Sequence, residues 1–109
     1  EGFTWETQDK ERDIAAATSA WKKAKELIRD ERNQMVLLDE INIALRYGYI
    51  DLVEVMQFLE NEKPRMTHVV LTGRNAAEDL IEMADLVTEM ALVKHPFRSG
   101  IKAQIGVEF

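Results

Sequence analysis

The chain has 109 residues, enough for one domain at most. Its apolar fraction of 46% excludes a disordered chain, and its net charge of −6 argues against nucleic-acid or membrane-surface binding, both of which need clustered Lys and Arg. It has no cysteine, hence no disulfide framework and no thiolate chemistry, which fits a reducing cytoplasm, and no apolar run approaches the roughly 18 residues of a membrane span.

Gly2-Phe3-Thr4-Trp5 has no helical period, and the start at Glu1 rather than Met reads as the edge of a fragment. From about Asp9 the pattern turns helical. Ile14, Ala17, Trp21, Ala24 and Ile28 step by three and four along one apolar stripe, with Lys22, Lys23, Lys25 and Glu26 on the wet side. Asp30 to Gln34 is a polar break.

Met35-Val36-Leu37-Leu38 is a short continuous apolar run, the pattern of a parallel strand buried on both faces, and it runs straight into Asp39-Glu40. Ile41 to Tyr47 reads as a short helix stopped by Gly48. Asp51 opens the next helix. Glu54 three residues later makes a capping-box arrangement, Ile50 and Val55 are placed as a hydrophobic staple, Leu52, Val55, Met56 and Leu59 form the stripe, and Pro64 ends the element.

His68 to Thr72 is a second apolar strand, closed by Gly73. Asn75 with Glu78 repeats the capping signature before a stripe of Ala77, Leu80, Ile81 and Ala84. Leu86 to Met90 is expected to be a third strand, Lys94 to Gly100 a loop, and Gln104 to Phe109 a last strand. Strands alternating with helices imply an α/β fold with a largely parallel sheet and flanking helices.

Acids at the carboxyl end of a buried strand stand where open α/β sheets place their ligands. Magnesium takes hard oxygen donors, typically one or two carboxylates with waters and phosphate oxygens, and Asp39 and Glu40 can supply them. Two solvated acids favouring the N-terminus of the following helix is an equally good account of the residues alone. In Thr72-Gly73-Arg74 the glycine permits close backbone approach and the arginine can bind phosphate bidentately; a plain strand-end turn with a solvated arginine is the other reading. Phe3 and Trp5 stand outside any amphipathic pattern and serve either to cover a planar ligand or to anchor the N-terminus. His68 and His95 have no metal-ligand spacing, His68 reading as structural and His95 as a loop residue open to function. Ser19 and Ser99 have no identifiable base, so no nucleophile–base pair is visible.

Taken in order, Gly2-Phe3-Thr4-Trp5-Glu6-Thr7-Gln8, Met35 to Glu40, Thr72-Gly73-Arg74, Val93-Lys94-His95-Pro96-Phe97 and Gly100-Ile101-Lys102-Ala103-Gln104-Ile105-Gly106 resemble the P-loop type ATP:corrinoid adenosyltransferases across essentially all of the chain. The resemblance implies a RecA-like P-loop fold and a homodimeric cytoplasmic enzyme. That enzyme transfers the 5′-deoxyadenosyl group of ATP to the cobalt(I) of a corrinoid in cobalamin biosynthesis or salvage, releasing triphosphate. Cobalt(I) is the nucleophile, which agrees with the missing nucleophile–base pair. By match to the family's segments, Phe3 and Trp5 would pack on the lower face of the corrin, Asp39 and Glu40 would hold Mg2+ with Glu40 in direct contact, and Arg74 would touch phosphate or corrinoid. A flavin-type reductant would supply electrons.

The family's phosphate loop, Gly-x-x-x-x-Gly-Lys-Ser/Thr, is absent from the 109 residues. Residues 1–109 are therefore expected to be the C-terminal portion of a single adenosyltransferase domain, incomplete in its N-terminal strand and inactive alone. A non-catalytic corrinoid-binding module and a fragment of another Walker B ATPase are the alternatives.

Overall fold

The computed structural model describes residues 5–96, with the backbone alone for residues 5 and 6. Phe3, Ser99 and the strand expected over Gln104 to Phe109 lie outside the described residues.

The first helix, α1 (Trp5–Arg29), starts nine residues before Ile14, the first residue of the apolar stripe. The stripe is buried only in its second half: Trp21, Ala24 and Ile28 enter the core, while Ile14 and Ala17 are half-buried. The helix ends where Asp30 N–H still bonds Glu26 O and the Asn33 side-chain amide donates to Leu27 O at 2.9 Å, satisfying carbonyls that the last turn leaves open. Asp30 in turn accepts from the Arg32 backbone N–H and guanidinium, which shapes the polar break before the first strand.

Strand β1 (Met35–Leu38) leads into helix α2 (Ile41–Arg46) and helix α3 (Leu52–Asn61), after which β2 (His68–Leu71) returns parallel to β1. Register pairs Met35 with His68, Val36 with Val69, Leu37 with Val70 and Leu38 with Leu71. The two strands and their helical crossover form a small parallel α/β unit, in agreement with the fold class read from the alternation of patterns. Gly48 takes φ 74 after α2, the left-handed turn that a glycine stop requires. Asp51 caps α3 by accepting from Val53 N–H, and Ile50 and Val55 are both buried in the core, as a staple demands.

The core lies between α1, α3 and one face of the strands. Ile28 and Val55 are fully buried, and Trp21 meets Phe58 edge-on with ring centroids 5.5 Å apart. Phe58, which the stripe of Leu52, Val55, Met56 and Leu59 omits, is therefore a central core residue.

Four expectations need correction. Burial of β1 on both faces is not observed: Val36 and Leu38 face the core, but Met35 and Leu37 on the other face are 61% and 55% exposed. Glu54 does not close a capping box, because its carboxylate turns to α1 instead. Helix α4 (Glu78–Met83) begins with Ala77 at its cap and no side-chain cap bond, Asn75 standing upstream in the left-handed region at φ 56; of its stripe only Leu80 is buried. Leu86 to Met90 is no strand. It carries no regular structure, and Leu86 and Met90 are exposed. β-propensity alone does not make a strand, since its backbone groups need a neighbouring ladder, and among the described residues only β1 and β2 pair.

Candidate functional site at the strand ends

Because Leu38 pairs with Leu71, the next step along each strand brings Asp39-Glu40 beside Thr72-Gly73. The ladder's last bond runs from Thr72 N–H to Leu38 O at 3.3 Å. Beyond it the pairing passes to side chains. Glu40 N–H donates to the Thr72 hydroxyl at 2.9 Å, and that hydroxyl donates to Asp39 Oδ1 at 3.0 Å. Asn42, at the start of α2, closes the clasp: its N–H donates to Thr72 O at 3.2 Å and its side-chain amide to Gly73 O at 3.1 Å.

Two backbone conformations are held in this clasp. Glu40 sits at φ 63, ψ 21, a left-handed conformation uncommon for a residue with a side chain. Gly73 sits at φ 128, and a Cβ there would lie 2.9 Å from Asn42 Cβ, so only glycine admits this close approach of the two strand ends. Asn42 is 5% exposed, and its Oδ1 has no hydrogen-bond donor among the described residues.

Asp39, Glu40, Gly73 and Arg74 are all exposed at this edge. The Glu40 carboxylate and the Arg74 guanidinium form no ion pair among the described residues, so both are available to a ligand. No group of three or more His, Cys, Asp and Glu able to hold a metal occurs among the described residues. Two neighbouring carboxylates with open coordination positions suit magnesium, which retains waters and takes phosphate oxygens, better than a metal needing a closed protein cage.

The remaining candidates fall elsewhere. His68 opens β2, at the opposite end of the sheet from Asp39. Ser19 is exposed on α1. Trp5 is the first residue of α1, and its side chain is outside the described part. Two shallow concavities of about 200 and 330 Å³ share Glu54 and Lys25 between α1 and the α3 region, and neither includes the strand ends. The carboxyls held below their usual range are also remote: Asp30, drawn down to about 2 by its hydrogen bonds from Arg32, and Glu54, drawn down by the Trp21 indole and then by Lys25.

Comparison with known proteins gives the family. Residues 1–109 match the family described as ATP:corrinoid adenosyltransferase BtuR/CobO/CobP. The chain belongs to the ATP:corrinoid adenosyltransferase family. It is 81% identical over 109 residues to a corrinoid adenosyltransferase of Sinorhizobium sp, covering all of this chain and 51% of that protein. It is 58% identical to the corrinoid adenosyltransferase of Pseudomonas aeruginosa, covering all of this chain and 53% of that protein. Against the corrinoid adenosyltransferase of Escherichia coli K12 it is 46% identical over 108 residues, 99% of this chain and 55% of that protein. The chain thus spans about half the length of the curated adenosyltransferases it matches. Among the described residues, no helix is long and apolar enough to cross a membrane.

No sequence motif gives Thr72 or Asn42 a site role of its own, although both build the strand-end clasp. Their signal is positional: Thr72 is the residue that follows β2, and Asn42 stands three places after Asp39. Neither position acquires meaning until the register of the two strands is known.

Proposed function

We propose that residues 1–109 are the C-terminal portion of a single corrinoid adenosyltransferase domain and supply its metal-binding edge. The whole protein transfers the 5′-deoxyadenosyl group of ATP to the cobalt(I) of a corrinoid. The cobalt electron pair forms the bond to C5′, the C5′–O bond breaks with its electrons leaving on oxygen, and triphosphate departs. Family membership supports this reaction. The observation that carries the role of the edge is the acidic pair at the end of β1, exposed beside the Thr72-Gly73-Arg74 turn.

In this reading Asp39 and Glu40 hold Mg2+, with Glu40 in direct contact. Bound there, the ion would supply charge to offset that of the triphosphate leaving group. Arg74 contacts phosphate or corrinoid from the neighbouring turn. Phe3 and Trp5 pack on the lower face of the corrin and exclude its axial ligand and water, so that cobalt(II) is more easily reduced and cobalt(I) is protected. A flavin-type reductant, a homodimer and a cytoplasmic setting complete the proposal.

The phosphate loop is absent from these residues, and backbone donors with a lysine normally carry most of the polyphosphate binding. The 109-residue chain is accordingly inactive on its own. The test is to incubate cob(I)alamin and MgATP with the chain alone and with the chain joined behind the unmatched half of the Sinorhizobium relative, following adenosylcobalamin by its absorbance and triphosphate by phosphorus NMR. Product from the joined protein and none from the chain alone is expected. Product from neither overturns the assigned reaction; product from the chain alone at the joined protein's rate overturns its incompleteness.

A further inference from the structure

We propose that Thr72 is a positioning residue for the acidic pair, presetting Asp39 and Glu40 for a divalent cation. The inference rests on the metal reading of those two carboxylates given above. Three groups of this one residue grip the end of β1 and the start of α2. Its N–H reaches Leu38 O at 3.3 Å, its carbonyl accepts from Asn42 N–H at 3.2 Å, and its hydroxyl lies between Glu40 N–H and Asp39 Oδ1 at 2.9 and 3.0 Å.

The hydroxyl bonds have a forced direction. A backbone N–H can only donate and an ionised carboxylate can only accept, so the hydroxyl takes a bond from Glu40 and gives its single proton to Asp39. One carboxylate oxygen of Asp39 is therefore engaged and oriented while the other is left for a cation, the usual way an outer hydrogen bond fixes a metal-binding group. The same hydroxyl replaces the ladder carbonyl that Glu40 N–H would otherwise need, and this holds Glu40 in its left-handed conformation at φ 63, where the chain leaves the strand. Without the hydroxyl, Asp39 is free to rotate and the Glu40 amide loses its acceptor.

The test uses Mn2+ alone as probe, with its affinity for the 109-residue chain read from the electron paramagnetic resonance signal of free ion. Exchange of the Glu40 amide is followed by NMR in the same samples. T72V keeps the shape of threonine without its hydroxyl, T72S keeps the hydroxyl, and D39N removes the carboxylate charge. T72V is expected to weaken Mn2+ binding about tenfold or more and to expose the Glu40 amide to exchange, whereas T72S stays within about threefold of the unsubstituted chain on Mn2+ and keeps the amide protected. Rescue by serine separates the hydroxyl from mere packing. Should T72V lose cooperative unfolding, T72A is measured in its place and the same loss is expected.

Affinity lowered by D39N but unchanged in T72V or T72A overturns the role of Thr72 and leaves the metal reading intact. Affinity unchanged in D39N, or no saturable binding by the unsubstituted chain, overturns the metal reading itself.

Discussion

Trp21 on α1 donates its indole N–H to Glu54 on α3 at 2.9 Å, across 33 positions of sequence, and the same carboxylate oxygen accepts from Lys25 at 3.2 Å. The indole ring is buried against Phe58 while the carboxylate remains half-exposed, so the pair joins the core to the surface. The indole bond, then Lys25, holds the Glu54 carboxyl below its ordinary 4.5. A group depressed in the folded state stabilises the fold above its unfolded pKa and loses that contribution as pH falls through the folded pKa. Acid should therefore weaken the chain from about pH 4.5 downward through this group, and E54Q should flatten that limb of a urea-midpoint profile. E54A, which leaves the indole N–H without its acceptor, should lower stability at neutral pH by about 1 kcal/mol, most of it from the indole, since an exposed ion pair contributes little.

Gly73 and Gly48 make a contrasting pair. Both have positive φ, but a Cβ at Gly48 meets open space, whereas one at Gly73 lies 2.9 Å from Asn42 Cβ. G48A should cost about 1 kcal/mol through backbone conformation alone. G73A adds a clash between two strand ends and should cost about 2–3 kcal/mol, and it should also displace the side-chain amide of Asn42 from Gly73 O. Chemical denaturation gives the two costs. The Asn42 side-chain NH2 resonances report the displacement, shifting in G73A and not in G48A.

Truncation should separate the two faces of the structure. Ile28 is fully buried, and I28A should lose about 2–5 kcal/mol. Met35 and Leu37 lie on the exposed face of β1, and M35A or L37A should each change the stability of the 109-residue chain by about 0.5 kcal/mol or less. Urea midpoints of the three variants check the ranking; a cost for L37A comparable to that of I28A would mean that this face is covered in solution.

Asp51 accepts from Val53 N–H at 3.3 Å and supplies the only side-chain cap described for α3. D51A should destabilise by about 1 kcal/mol and fray the first turn, while D51S should recover most of the loss. Amide exchange at Val53 distinguishes a lost cap from a general loss of stability, rising in D51A ahead of exchange at Val55.

Local signals are legible where both partners lie within a few positions of each other. The stop at Gly48, the cap at Asp51 and the staple of Ile50 with Val55 depend on residues a few positions apart, and all three occur. The ordered FTW, acidic-strand, TGR and KAQIG segments carried the family. Where a residue had two possible partners, local reading chose the nearer one. The sequence pattern places Glu54 at its own helix end, but it bonds Trp21 and Lys25 because folding brings α1 within reach. Leu86 to Met90 has strand composition but no paired neighbour among the described residues, and composition cannot provide one.

The sequence by itself determined the family, the parallel α/β character and the acidic pair at a strand end, because these follow from residue order and periodicity. Only the tertiary structure decided how that pair is held. Thr72 reaches Asp39 and Glu40, and the Asn42 side chain reaches Gly73, through a register linking positions 31 to 33 apart, and hydrogen bonds at that separation depend on the packing of the whole crossover.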